Sequence, residues 1–492
     1  MSIRIVTLPI KKYLIVLSVF LIGCSELGKQ IFGNGNCSSQ DLSCGLSEIY
    51  PLVSVSGDQI GSWEYEEGEE LSGGKDMTSY DFTSRAYLQF PPGLPLDKIS
   101  DFTVGQSVFE VPWENSSSGQ IDRRGLGPLF NANSCLACHI GNGIGKVPSG
   151  PTETMLTALV RLSNDENYGG QLQPFSLNGV PAEGKASVSY SQIDGVFRDG
   201  TSYTLRKPKV EFSNLNYGPL ASDGEIYSLR NTSKVIGMGL LEAIQDETLL
   251  SLQDEYDSNS DGISGRINLI LDIETGTNKI GRFGWKANEP NLKQQGSRAF
   301  LEDIGVTSPL FPFKNCTSAQ TACDSSPHGT LPELNPTKID MMVKYMRLIA
   351  VPARRSPSSS ETIAGKRIFF QAGCNSCHIS KLVTGNIPGA PEISGQTIRP
   401  YTDLLLHDMG EGLTDGRTDH LASGREWRTA PLWGIGLVSK VNGTLQLLHD
   451  GRAESFIEAV LWHGGEAERS KQYVLKLSSS QRDQLVKFLE SL

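Results

Sequence analysis

Cys135-Leu136-Ala137-Cys138-His139 recurs as Cys374-Asn375-Ser376-Cys377-His378. Two cysteines separated by two residues can each form a thioether with one vinyl group of a haem, and the histidine that follows is then placed under the iron. A zinc or redox C-x-x-C pair is the alternative, but structural zinc usually gathers four ligands from paired motifs and does not need an adjacent histidine in both copies. The stretch is therefore read as a c-type haem attachment site, present twice, with Cys135, Cys138, His139, Cys374, Cys377 and His378 holding two covalently bound haems. The rest of the chain is organised around these two positions.

At 492 residues the chain exceeds one ordinary hydrophobic core, which predicts two or more domains. Its start reads as an export signal. Arg4, Lys11 and Lys12 precede the apolar run Tyr13–Ile22, which is short for a permanent membrane span. The run ends in Leu21-Ile22-Gly23-Cys24, which resembles a bacterial lipobox. The resemblance implies that residues 1–23 form a lipoprotein signal peptide and that Cys24 carries the lipid. Ser25 in the next position, by the same resemblance, implies outer-membrane delivery and a periplasm-facing protein. Residues 24–60, rich in Gly, Ser and Asn, suit a flexible tether.

The formal net charge is −11, and removal of the signal takes away three basic residues and no acidic ones. Such a balance argues against nucleic acid and favours a small basic electron carrier, such as a cytochrome c or a copper protein. Of nine cysteines, Cys24 and the four motif residues leave Cys37 with Cys44 and Cys316 with Cys323. These are close pairs able to form local disulfides in an oxidising compartment.

Three short echoes in the same order suggest an internal duplication. They are the two haem motifs, Thr232–Leu240 with Thr429–Leu437, and Asp340–Met346 with Asp483–Leu489. Each half would open with a helix, bind a haem and close with a helix. Ser358 and Glu361 suggest a capping box for the helix before the second motif, and the Pro- and Ser-rich run 352–360 marks the boundary. The predicted fold is mainly α: two cytochrome c-like haem domains at 61–353 and 357–492. The first is enlarged by loop insertions and by a β-hairpin or small sheet between Val188 and Phe212, where apolar residues alternate around Asp199-Gly200.

Asp257, Asn259 and Asp261, followed by Gly262, have the spacing that begins a calcium loop. The twelfth position is Asn268 rather than a bidentate glutamate, so calcium and a solvated turn stay open as equal readings.

The segments Gly281-Arg-Phe-Gly-Trp285-Lys-Ala287, Leu406-His407-Asp-Met409-Gly410, His449-Asp-Gly-Arg452-Ala453 and Trp462-His463-Gly-Gly-Glu-Ala467 resemble the di-haem oxidoreductase family, also labelled predicted thiol oxidoreductases. The resemblance runs from about Gly68 to the C-terminus. That family is grouped with bacterial di-haem cytochrome c peroxidases and the methylamine-utilisation di-haem enzyme. In the peroxidases a His-Asp-Gly segment is followed fourteen residues later by the methionine that is the sixth ligand of the second haem. Here that place is taken by His463, so the resemblance implies that His378 and His463 together hold the second haem iron. A histidine pair lowers the potential relative to His/Met.

No histidine lies between His139 and His328, which leaves the first haem five-coordinate or capped from afar by His328, His407 or Met409. An open iron face is what a small oxidant needs. The first haem is therefore expected to be the reaction site, reducing hydrogen peroxide, and the second the electron relay. Glu242 is the candidate catalytic acid/base, Arg282 and Arg452 the candidate propionate partners, and Trp285 the candidate conductor between haems. Two other functions fit the same motifs. One is a di-haem oxidase of a sulfur compound or protein side chain. The other is a non-enzymatic electron-transfer lipoprotein linked to metal reduction or iron acquisition.

Overall fold

Five of the six helices described below begin where a short polar side chain takes up a free N–H group of the first turn, the exception being the one that follows Pro95. The computed structural model describes residues 62–492, apart from 116, 120, 178, 222–226 and 328–330. The signal and lipobox, the tether, Cys37, Cys44 and His328 lie outside the described residues.

Helix α1 spans Leu96–Glu110 and α2 spans Leu292–Ile304, where Asn291 accepts from the Gln294 N–H at 2.8 Å and Gly305 ends the helix. Helix α3, Pro336–Leu348, starts with proline at its first position behind the Asn335 cap. Helix α4 is Ser360–Gln371, capped by Ser359 rather than by the expected Ser358. Helix α5 covers Phe456–Trp462 and α6 Ser479–Ser491, the latter opened by a capping box of Ser478 and Gln481.

The duplication predicted from sequence has a structural counterpart in the way these helices cross. A side chain at Gly105 of α1 would collide with the carbonyl of Met341 and the Cβ of Tyr345 on α3. One at Gly365 of α4 would collide with the carbonyl of Gln484 and the Cβ of Phe488 on α6. Met341 and Gln484, and Tyr345 and Phe488, are equivalent positions of the Asp340–Met346 and Asp483–Leu489 echo. In both pairs a glycine lets two backbones approach where larger residues would hold them apart.

The expectation of a mainly α fold made of two cytochrome c-like haem domains is corrected by the strands. Helix accounts for 31 % and strand for 18 %, spread over many small sheets. Strand β1 (Ala158–Asp165) is the centre of an antiparallel three-stranded sheet, between β2 (Gly169–Gln171) and β5 (Tyr227–Asn231). Between these lie β3 (Lys185–Val196) and β4 (Ser202–Ser213), a two-stranded hairpin in register along all twelve of its residue pairs. Among the described residues five further sheets have two strands each. They include the parallel pair Thr78–Ser79 with Val351–Pro352, which joins segments far apart in sequence. The physical reason for the discrepancy is that the strands outside the hairpin are either too short to leave an alternating pattern or, like β1 with β5 and Thr78–Ser79 with Val351–Pro352, pair with partners distant in sequence.

The hairpin reaches from one end of the chain onto the other. At its tip the Arg198 N–H donates to the Leu475 carbonyl at 3.0 Å, and Asp199 pairs with Arg482 of α6 at 2.9 Å. The Arg482 guanidinium lies 3.9 Å from the Phe197 ring centroid. Phe197 and Leu205 are buried in the same cluster as Phe369, Trp462, Leu485 and Phe488. A second cluster gathers Phe102, Phe109, Trp113, Phe300 and Tyr345 around the first motif. Among the described residues no helix is long and apolar enough to cross a membrane.

Glu69 ties the start of the described chain to this frame. It is 1 % exposed and forms buried ion pairs with Arg354 and with Lys366 of α4. Removing its charge strands two buried cations, so Glu69→Gln should destabilise the fold by about 3–5 kcal/mol. Chemical denaturation measures this, and a loss below about 1 kcal/mol would show the cluster to be solvated.

Candidate active site

The first motif forms a one-turn helix, Cys135–Cys138, because Ser134 caps it by accepting from the Ala137 N–H at 3.2 Å. That turn places His139 with its Nδ1 2.9 Å from the Ser233 carbonyl and its ring 5.8 Å from that of Phe109. A carbonyl only accepts, so Nδ1 carries the proton and Nε2 keeps a lone pair. Burial pushes the imidazole down to about 4, so it is neutral at ordinary pH.

The second motif repeats the device with different parts. His378 Nδ1 lies 2.9 Å from the carbonyl of Tyr401, a residue held at a φ of 54°. A bulky residue in that left-handed region is strained, and such strain persists where the surrounding structure fixes it. Burial also takes His378 down to about 4, with His463 adding to the shift.

The four motif cysteines are free of disulfides. Burial pushes all of their thiols up, Cys138 and Cys374 to about 12. A redox-active C-x-x-C needs the opposite, a depressed thiol that is thiolate at neutral pH. Cys316 and Cys323 form a disulfide elsewhere in the chain.

A cavity of about 230 Å³ opens against the second motif, its wall mostly apolar and including Cys374, Cys377, His378, Leu413, Trp427 and His463. His463 follows the last residue of α5, and its Nδ1 lies 2.7 Å from the Ala459 carbonyl. Its Nε2 is thus also left with a lone pair. His378 and His463 therefore reach one cavity with the same tautomer. Trp427 is stacked on His449 at 3.6 Å and 10°, with Lys286 Nζ 4.5 Å and the Arg230 guanidinium 4.7 Å from its centroid. Lys286 is fully buried and donates to Asp415 at 2.9 Å and to the carbonyls of Arg417 and Ser423 at 2.7 Å each. The segments around Trp285, His407, His449 and His463 thus converge on this cavity.

His407 and Met409, considered as caps for the first haem, both line the cavity at the second motif. His407 is wedged between Asp403 at 2.8 Å and Glu466 at 2.7 Å, with Cys377 Sγ at 3.6 Å. These neighbours hold it protonated well above the ordinary range despite its burial, so neither ring nitrogen offers a lone pair. Glu242 accepts from the Leu292 N–H at 3.0 Å, at the start of α2, and from Arg347 at 2.5 Å. Arg282 pairs with Asp246, and Arg452 with Asp450 at 2.6 Å. Trp285 donates its indole N–H to the Asn231 carbonyl at 2.8 Å while its ring lines the cavity. Asp257, Asn259 and Asp261 accept from backbone N–H groups of their own exposed loop.

Sequence reading missed Asp303, in the last turn of α2. Its carboxylate accepts from Gln171 at 2.7 Å, and burial pushes it up to about 6, with Glu302 adding to the shift. Its charge also helps raise both Cys135 and Cys138, so the first motif lies within reach of its field. One signal was available: adjacent acids at a helix C-terminus oppose the helix dipole, and Glu302-Asp303 stand there.

The residues fit a haem at each motif: paired thiols, a neutral histidine presenting Nε2 and, at the second, an apolar cavity with a facing histidine. Residues 167–492 match the family model described as "Di-haem oxidoreductase, putative peroxidase". No curated protein matches the chain. With both motifs built alike and that match spanning the cavity, the chain belongs to the di-haem oxidoreductase family.

Proposed function

We propose that the protein reduces hydrogen peroxide at the first motif, with electrons entering through the second. The observation that carries this reading is an asymmetry. The second motif shares its cavity with His463, whereas the first has no such histidine among the described residues and instead feels the charge of Asp303, a carboxyl group that burial raises to about 6. Two thioether-bound haems, on Cys135 and Cys138 and on Cys374 and Cys377, would supply iron that passes single electrons and, at the first site, an open face for peroxide.

The chain's own residues do the rest. His139 and His378 are held neutral and oriented by backbone carbonyls, ready to ligate. His463, which lines the same cavity as His378 with its Nε2 free, would serve as a second ligand to that iron and limit the site to electron transfer. The overall change is H2O2 + 2 e⁻ + 2 H⁺ → 2 H2O. It requires a proton to leave one peroxide oxygen and another to reach the departing one. Asp303, at about 6, takes and returns such a proton near neutral pH. Trp285 links the two sites: its N–H is bonded to Asn231, two residues before the Ser233 carbonyl that holds His139, and its ring lines the second cavity.

In this reading the protein is exported, anchored by lipid on Cys24 at the periplasmic face of the outer membrane, and served by a small basic electron carrier attracted by a net charge that is −11 for the full chain and more negative once the signal's three basic residues are removed. Electron paramagnetic resonance of the mature holoprotein, oxidised and then half reduced, tests the function. A high-spin signal that peroxide alters is expected. Two low-spin haems indifferent to peroxide in both states would make the protein an electron carrier instead.

A further inference from the structure

Two cations line the cavity without an acid to neutralise them. Lys234 Nζ donates to the Pro431 carbonyl at 3.2 Å, and Arg428 donates to the carbonyls of Gly284 at 2.9 Å and Thr429 at 3.1 Å. Among the described residues no carboxylate lies within ion-pair distance of either. Arg428 feels Asp403 only at longer range, and Asp403 is already bonded to His407. Burial lowers Lys234 to about 8, with Arg428 adding to the shift, and lowers Arg428 to about 10. Two half-buried like charges that weaken one another cost stability unless an anion joins them.

Their position in the chain identifies where that anion comes from. Lys234 directly follows Ser233, whose carbonyl orients His139. Arg428 donates to the Thr429 carbonyl, which also accepts from Thr402 at 2.7 Å, and Thr402 directly follows Tyr401, whose carbonyl orients His378. Each cation is thus one short step from the anchor of a different motif histidine. The backbone N–H of Arg428 also donates to the Trp285 carbonyl at 2.9 Å. The two arginines expected from sequence to serve propionates, Arg282 and Arg452, already have carboxylate partners.

We propose that Lys234 and Arg428 form a carboxylate-binding site at the seam of the two motifs, and that its ligands are haem propionates. The site rests on the reading that both motifs hold haem. A cation beside a propionate stabilises the ferrous state, because the reduced iron carries one positive charge less. Removing either cation therefore lowers the reduction potential of the haem it serves.

The test is a spectroelectrochemical titration of the holoprotein and of its Lys234→Met and Arg428→Met variants, with covalent haem counted by the pyridine haemochrome spectrum. Each variant is expected to shift the ferric/ferrous equilibrium of a haem about tenfold toward ferric, which is about 59 mV for one electron. Lys234→Arg should restore the wild-type value. Two covalent haems with unmoved potentials would overturn the site alone, whereas wild-type protein without covalent haem would overturn the reading beneath it. Sodium formate that moves the wild-type potentials but not those of the variants would identify a free anion and overturn the propionate assignment. If a methionine variant fails to fold, Arg428→Lys keeps the charge and shortens the reach. The propionate bending band in its resonance Raman spectrum should then shift, and an unchanged band overturns the assignment.

Discussion

Asp303→Asn is expected to lower the rate of peroxide reduction by about 10²- to 10⁴-fold, the range that a positioned acid/base contributes, while leaving both haems attached. Asparagine keeps the shape and can still bond to Gln171, which reaches the native carboxylate at 2.7 Å. Only proton transfer is lost. The pH profile separates this role from a structural one. Asp303 must be ionised to accept a proton from peroxide, and burial sets its pKa at about 6. The wild-type rate should therefore rise with pH through about 6, and that limb should vanish in the variant. A variant with full activity, or with the limb intact, would remove Asp303 from the chemistry.

The second large effect is expected at His463. Its Nε2 is left free because Nδ1 is bonded to Ala459 at 2.7 Å, and it shares the cavity with His378. His463→Ala should convert the second haem from low to high spin and cut carrier-driven turnover at least about tenfold, an effect of about 1.4 kcal/mol on the barrier. His463→Met should keep the low-spin spectrum and raise the potential, since a thioether ligand favours the reduced iron. A second haem that stays low-spin and unaltered in the alanine variant would show that another residue closes that face.

The parts of this site that sequence made legible are those whose chemistry is local. Cys135–His139 and Cys374–His378 declare themselves because thioether formation and ligation need neighbouring residues. The echo of Asp340–Met346 in Asp483–Leu489 also survived, because two helices crossing at glycine demand matching positions on both sides. His463 was legible only through its resemblance to other chains. Asp303 left only the faint signal of adjacent acids at a helix end, and Lys234 and Arg428 left none, because an ordinary acid and two ordinary bases acquire their character from burial and from neighbours distant in sequence. Lys234, for example, meets Pro431 and Arg428 only in the folded chain. The same reason hid the strand content. The pairing of Thr78–Ser79 with Val351–Pro352 is a tertiary contact with the geometry of a sheet, and no local pattern encodes it.

The hairpin of β3 and β4 has a consequence for the order in which the molecule can be completed. A chain is made from its N-terminus, so Phe197 and Leu205 emerge long before the α6 residues Leu485 and Phe488 that share their cluster. Until that last helix arrives, the hairpin offers unsatisfied apolar side chains and two bare strand edges, the kind of surface on which nascent chains aggregate. The Arg198 bond to Leu475 and the Asp199 pair with Arg482 then latch the tip onto segments that are among the last to appear. Completion of this fold is thus vectorial, with an early segment waiting for the C-terminus, and a nascent chain stalled short of α6 is a natural client for a holdase chaperone.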